Sequence, residues 1–327
     1  MSKYITTYFY HDIDDIGASY GNIFLPLKQR NLVYWQTVYT LFFTSIVKNR
    51  HEKIKYALFT NVSSFPLRNE IESLGVVIFD DLKLVHRNTK EWATVKFFFD
   101  VVTYIENSSY FKDDDSIVML DTDCIGLNSS AKLFTHLEKM DQPAVYFTGY
   151  ALSAHHELHG LSIRALEKVF EHVFLRKIFI RNTIGGEFFA FNKNKNLKDF
   201  RRYYENLLEA QTKDTITTEE QILSIINGDM KFLYIDFSIY RIWTAYRNYD
   251  VCNDINKFTF LHLPSEKTNG LASLFKQLIK KQPLNFTSDA LDKVIYQHIP
   301  INNPIKLYAM KILNDIKIKI YDLFQKR

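Results

Sequence analysis

Two aspartates one residue apart close a short apolar run, Ser116-Ile-Val-Met-Leu-Asp121-Thr122-Asp123-Cys124-Ile-Gly126. Paired carboxylates suit a hard divalent cation, and Mg²⁺ or Mn²⁺ held there would in turn take up phosphate oxygens. Ile117 to Leu120 reads as a fully buried strand that stops at the acids. In open α/β sheets the crevice beyond the carboxyl ends of the strands is where ligands bind, so the pair's position gives it meaning.

Other residues of the right chemistry fall at comparable places. Thr60-Asn61 ends a second expected strand and Asp80-Asp81 follows a third, which sets them on the same sheet edge as Asp121 and Asp123. The first strand feeds the loop His11 to Asn22, whose acids suit the hydroxyls of a ribose. Neither the dinucleotide glycine fingerprint nor a P-loop is present, which disfavours NAD and Walker-type ATP sites. Lys96 sits in Glu91-Trp92-Ala-Thr-Val-Lys96-Phe97, on an otherwise apolar helix face before the acidic strand. Its ammonium could meet a diphosphate, or it could snorkel at a helix edge.

Gly185-Gly186-Glu187-Phe188 joins two flexible residues to an acid at a strand start. Glycine lets backbone approach a ligand closely and the acid could be a general base; an ordinary turn is the alternative. Thr218-Glu219-Glu220-Gln221 opens a helix, where acids also favour the dipole. His262 follows the last expected strand and offers an imidazole as third metal ligand, and Lys267 could cover a phosphate. His155 and His159 would share a helical face, yet the zincin order is missing and Gly160 argues against a continuing helix. That stretch is expected as a loop near an acceptor pocket.

The elements that must position these residues alternate. Strands are expected at Tyr4–Tyr10, Lys55–Thr60, Val76–Phe79, the run ending at Asp121, Ala144–Thr148, Phe188–Asn192, Leu233–Phe237 and Phe258–Leu263. Helices are expected at Leu32–Lys48, Arg68–Leu74, Lys90–Glu106, Leu161–Lys177, Leu197–Gln211 and Thr218–Ile226, the last with Thr217 as N-cap. Successive β-α-β units argue for a mostly parallel sheet with helices on its faces. After about Pro264 lysines and apolar residues dominate, with helices expected at Leu271–Lys281 and Ile305–Gln325. The reading is one α/β domain over residues 1–265 with a C-terminal helical extension over 266–327.

Composition bounds the rest. A chain of 327 residues, 46% hydrophobic, supports a sizeable core. A net charge of +4 is too mild to imply nucleic-acid binding. Cys124 and Cys252 make no disulfide framework and match no zinc spacing. The first residues lack a signal-peptide pattern and no stretch nears the ~20 apolar residues of a membrane span, so a cytoplasmic protein is expected. The tail mixes apolar residues and lysines at helical spacing, which could lie on an anionic membrane surface or pack on protein.

Taken together, Trp92-Ala-Thr-Val-Lys96-Phe97, Val118-Met-Leu-Asp121-Thr122-Asp123, Gly185-Gly186-Glu187-Phe188, Glu220-Gln221, His262 and Lys267 make a pattern. With it the chain resembles nucleotide-sugar-dependent glycosyltransferases of the GT-A fold, in particular the glycogenin and bacterial lipopolysaccharide galactosyltransferase-like group. The resemblance implies a Rossmann-like, mostly parallel sheet and transfer of a sugar from a nucleotide-sugar, with UDP as nucleotide, to a glycan or lipid-linked saccharide. It implies Mn²⁺ or Mg²⁺ on Asp121, Asp123 and His262, and donor contacts from Thr60, Asn61, Lys96, Asp121, Thr122, Gly186 and Lys267. Glu187 and Glu220 would be the acids near donor sugar and acceptor, Glu187 the first candidate base of an inverting reaction. The implied setting is bacterial surface polysaccharide or lipooligosaccharide synthesis.

Two rival readings share the acidic pair. A haloacid-dehalogenase-like phosphatase would use Asp121 as nucleophile, but that family opens its domain with the motif, and here three strand-helix units come first. A non-catalytic carbohydrate-binding protein is the other.

Overall fold

The computed structural model describes residues 1–11, 25–80, 82–83, 96–150, 153, 155–193, 197–210, 216, 218–245, 249–306, 308–309, 312–313 and 316. Its elements run β1 (Lys3–Phe9), α1 (Leu27–Lys48), β2 (Ile54–Thr60), α2 (Arg68–Ser73), β3 (Val76–Phe79), α3 (Phe97–Asn107), β4 (Ser116–Leu120) and β5 (Cys124–Gly126). Then come α4 (Ala131–Leu137), β6 (Ala144–Tyr150), β7 (Glu157–Leu158), β8 (Leu161–Ser162), α5 (Ile163–Phe174) and β9 (Asn182–Asn192). The chain continues with α6 (Leu197–Glu209), α7 (Glu219–Met230), β10 (Leu233–Tyr234), β11 (Ile239–Arg241), β12 (Phe260–His262), α8 (Gly270–Leu278) and α9 (Ser288–His298).

A seven-stranded sheet in the order β10-β6-β9-β4-β1-β2-β3 forms the centre. All neighbours are parallel except β9, which runs antiparallel to both β4 and β6. This is the mostly parallel, helix-flanked α/β sheet that the resemblance implied. Strand side chains alternate between two cores, as the period of 2 demands. Val118 and Leu120 of β4, with Phe188 and Ala190 of β9, face the core that includes α1. Ile117, Met119, Phe189 and Phe191 face the opposite core, with α3, α5, α6 and α7.

Three short strands form a second sheet, β11-β12-β5. Of these β12 falls within the expected strand Phe258–Leu263, while β5 and β11, with three residues each, are too brief to show alternation. Gly126 ends β5 against α1, where an added Cβ would lie 2.9 Å from Ser45 Cα, and its amide donates to Thr44 Oγ1 at 3.0 Å. Gly126→Ala is therefore expected to lower stability by about 1–3 kcal/mol in urea denaturation, by forcing α1 off this sheet.

The helical region after residue 265 begins with α8 and α9. Leu271, Leu274 and Leu278 of α8, and Leu291 and Ile295 of α9, join the α1-side core. Lys48 Nζ reaches Asp292 at 2.6 Å and Ser288 at 2.8 Å. The α9 helix is not among the expected ones, because only Leu291 and Ile295 mark its buried face. Its signal is the N-cap Thr287, whose hydroxyl accepts from the Ala290 amide. Most of the expected helix Ile305–Gln325 lies outside the described residues, as do residues 12–22 of the first loop, Asp81, the Glu91–Val95 stretch and Thr217.

Two local expectations change. Gly185 and Gly186 are not a turn before a strand but lie inside β9. Opposite them the pairing with β6 jumps, Val145 facing Phe189 and Tyr146 facing Gly185, so Gly186 to Phe188 bulge from β6. The cap of α7 is Thr218 rather than Thr217, in a capping box with Gln221.

Candidate active site

The acidic pair is fixed by pairing on both sides. Asp121 follows β4, and its amide donates to the Glu187 carbonyl at 3.1 Å, so the β4–β9 ladder carries one step past the strand. The Cys124 amide closes a tight turn on the Asp121 carbonyl at 3.2 Å and starts β5. The antiparallel β5–β12 register sets His262 opposite Cys124, and the Leu263 amide donates to the Asp123 carbonyl at 3.1 Å. The unforeseen small sheet is thus what brings His262, some 140 positions downstream, onto the acidic pair.

Asp121, Asp123 and His262 place one ligand atom each within 4.8 Å of one another. His262 Nε2 is 3.2 Å from Asp123 Oδ1 and 3.6 Å from Asp121 Oδ2, while Nδ1 is 3.4 Å from Glu187 Oε1. Asp123 is fully buried, and Lys267 Nζ binds its Oδ2. Its Oδ1, like both ring nitrogens of His262, is buried with no hydrogen-bond partner among the described residues. Buried polar atoms that meet as ion pairs without a hydrogen bond are ones that a metal ion between them would satisfy. Two carboxylates and an imidazole whose far nitrogen faces a third carboxylate fit Mn²⁺ or Mg²⁺ with a second-sphere acid. Cys124 stands outside the set; burial pushes its thiol well up.

Electrostatics follow the same geometry. Burial raises the Asp123 carboxyl, but the Lys267 and His262 charges outweigh it and hold the group well below the usual range. Burial disfavours the His262 cation, yet Asp123 and Asp121 keep its pKa well above the ordinary value, so a metal would displace a proton there.

Beside the cluster, Arg241 ends β11, in parallel register with His262. Its Nε and Nη2 grip the two oxygens of Glu187 at 2.6 Å each, and Nη2 also reaches Glu220 Oε1 at 2.8 Å. Glu220 further accepts from the Gly186 amide at 3.2 Å and contacts His159 Nε2 at 2.5 Å. His159 sits at the tip of the β7–β8 hairpin with φ 49°, as expected for a loop near the pocket. Together Tyr8, Tyr34, Asp121, Thr122, Gly186, Glu187, Glu219, Glu220, Trp243, His262 and Lys267 are among the residues lining a cleft of about 200 Å³.

Against solved structures the chain has these likenesses. It is similar to mouse xyloside xylosyltransferase 1 in its apo form, at 9% identity and TM-score 0.49, over 80% of this chain and 97% of that one. It is similar to the apo-form glycosyltransferase GlyE of Streptococcus pneumoniae at 11% identity and TM-score 0.46, over 91% of this chain and 64% of that one. A third likeness, to the galactosyltransferase LgtC in complex with donor and acceptor sugar analogs, has 10% identity and TM-score 0.45, over 90% of this chain and 96% of that one. All three are glycosyltransferases. No protein-family model and no curated protein matches the chain.

Of the residues singled out from sequence, Asp121, Thr122, Asp123, Gly186, Glu187, Glu220, His262 and Lys267 come together. Thr60, Asn61 and Lys96 do not line the cleft. Thr60 is buried at the end of β2, two strands from β4. Asn61 binds the His11 backbone through both ends of its amide, at 2.6 and 3.0 Å. Lys96 is buried at the start of α3, where desolvation lowers its pKa to about 8.

The base role expected for Glu187 does not survive this geometry. Burial alone would raise its carboxyl, but Arg241 and His262 bring it down to about 2, and both oxygens are bound. A carboxylate this weakly basic is a poor proton acceptor at neutral pH. It orients Arg241 and His262 instead. Because its folded pKa lies below its ordinary 4.5, its stabilisation is present above pH ~4.5 and lost as pH falls toward ~2. Thermal melts across that window should show a loss on the order of 3 kcal/mol that Glu187→Gln removes.

Two residues that line the cleft were given no role in the sequence reading. Arg241 is a lone cation in the apolar stretch Ser238-Ile-Tyr-Arg241-Ile-Trp243, and that isolation was its signal. Glu219 lies against Gly186, where an added Cβ would come 2.2 Å from its Oε1, and its Oε2 is buried with no hydrogen-bond partner among the described residues. Burial first, then the Glu220 charge, push its carboxyl well above the ordinary range. Glu220 moves the other way: His159 and Arg241 overcome its burial and keep it anionic. Adjacent acids whose pKa values are pushed in opposite directions suit different tasks.

Proposed function

We propose that this chain is a metal-dependent glycosyltransferase that moves a sugar from a nucleotide-sugar, with UDP as the nucleotide, to a hydroxyl of a glycan or lipid-linked saccharide. The observation carrying this reading is the Asp121–Asp123–His262 cluster beyond the carboxyl end of β4 and beside Lys267, in which Asp123 Oδ1 and both imidazole nitrogens have no hydrogen-bond partner among the described residues. Asp121, Asp123 and His262 would hold Mn²⁺ or Mg²⁺, which when bound neutralises charge developing on a departing diphosphate.

The chain's own residues do the rest. Lys267 balances Asp123 and stands at the cleft wall, from where its ammonium can meet a phosphate oxygen. Thr122 donates its amide to Asp121 Oδ1 at 2.7 Å, leaving Oδ2 for the cluster. Arg241 locks Glu187 and Glu220, and so fixes the floor under Gly186. Glu219, its carboxyl pushed up by burial and one oxygen without a hydrogen-bond partner among the described residues, is placed to hydrogen-bond a sugar hydroxyl, where the resemblance set Glu187 and Glu220 near donor sugar and acceptor. The phosphatase reading is not favoured: three strands precede β4, whereas that family opens its domain with the motif.

The setting proposed is bacterial surface polysaccharide or lipooligosaccharide synthesis, with the C-terminal helices in peripheral contact with a membrane. Ile305, Tyr308, Ile312, Leu313 and Ile316 are exposed at near-helical spacing, which supports the contact. Among the described residues no helix is long and apolar enough to cross a membrane. The test is nucleotide release from UDP-, GDP- and CMP-sugars with Mn²⁺ or with a chelator. Metal-dependent release of UDP supports the reading; turnover of p-nitrophenyl phosphate without release from any donor overturns it.

A further inference from the structure

Between α5 and β9 the chain presents Leu175-Arg176-Lys177-Ile178-Phe179-Ile180-Arg181. The segment is built to hold an apolar pair outward. Leu175 ends α5 in the left-handed region, φ 55°, with its amide on the Glu171 carbonyl, and is 89% exposed. Ile178 and Ile180 turn inward, Ile178 seated over Gly228 of α7, and the Ile180 amide donates to Glu167 Oε1 at 3.0 Å. That alternation leaves Phe179 75% exposed. Arg176 is held against Tyr203 Oη at 2.5 Å and against Asp229. Among the described residues, no acid forms an ion pair with the exposed Lys177 or Arg181. Between Glu171 and Glu187 the sequence contains no acid.

We propose that residues 175–181 form a docking loop for an anionic lipid surface. Leu175 and Phe179 would enter the boundary between headgroups and acyl chains, while Lys177 and Arg181 meet lipid phosphates. Charge complementarity selects this occupant. Leu175 and Phe179, with Lys177 and Arg181 next to them in the segment, cover far less than the ~800 Å² a partner needs in a stable protein interface, and they match the make-up of an interfacial anchor. The loop runs straight into β9, which carries Gly186 and Glu187 into the cleft. A surface that holds the loop therefore also sets the cleft's distance from it, roughly 17 Å along the strand. The inference holds whatever group the cleft transfers, and it concerns a face distinct from the C-terminal helices.

The test uses the full chain and vesicles of phosphatidylglycerol in phosphatidylcholine. Phe179→Trp should add a blue-shifted emission component, absent from the wild type, on mixing with these vesicles and not with pure phosphatidylcholine. Leu175→Asn with Phe179→Ser, and separately Lys177→Glu with Arg181→Glu, should each lower the vesicle-bound fraction about tenfold at unchanged circular dichroism. Binding by wild type should weaken as salt rises. Three results overturn the proposal. They are unshifted emission from the Phe179→Trp variant while that chain floats with vesicles, undiminished binding by both double variants, or self-association that those variants abolish. The last would make the loop an interface between copies.

Discussion

Arg241→Met is expected to destabilise the fold by about 3–5 kcal/mol in urea denaturation, because it removes the bidentate cation from the fully buried Glu187 and one of the partners of Glu220. Glu187 is fully buried, and Arg241 is its bidentate partner; Glu220 shares the same guanidinium. Without that cation, desolvation and mutual repulsion push both acids toward protonation. The companion Arg241→Met/Glu187→Gln should recover a large part of the loss, since an amide carries no charge to compensate. Full loss in the double variant would mean that Arg241 acts through packing on Tyr146, whose ring lies 5.9 Å from the guanidinium, and not through charge.

Asp123→Asn is expected to reduce sugar transfer roughly 10³-fold, equivalent to about 4 kcal/mol of transition-state stabilisation. The change is nearly isosteric, so the β5 turn persists while one buried charge disappears. Lys267 and His262 then face each other with a neutral amide between them, and the cluster keeps one carboxylate, Asp121, whose side chain is 42% exposed. Asp121→Asn should cost less, on the order of 10², because exposure lets water replace its charge in part. Initial rates at saturating donor and metal check both values.

Legibility in the sequence followed the length and period of the pattern. The β1 to β4 strands and their helices could be read because apolar runs and alternation extended over several residues, and β4 ended visibly in acids. Residue types also pointed correctly to His262 and Lys267 as neighbours of that end. What could not be read was the means of their meeting. β5, β11 and β12 have three residues each, and their pairing is a long-range event that leaves no local trace. Arg241 stayed hidden for the same reason: its partners Glu187 and Glu220 lie 54 and 21 residues away. The roles of acids were the hardest to assign, since Glu187, Glu219 and Glu220 look alike in sequence and differ only in what surrounds them. Glu187 meets a bidentate arginine, and Glu220 meets a histidine and a shared arginine. Glu219 keeps an oxygen with no hydrogen-bond partner among the described residues.

Calorimetric titration of Mn²⁺, with UDP present, into the wild type and into Asp121→Ala/Asp123→Ala tests the central claim most directly. The account predicts one saturable site in the wild type, a proton released on binding, and no detectable binding in the variant at unchanged circular dichroism. Equal Mn²⁺ affinity in the two proteins would contradict it.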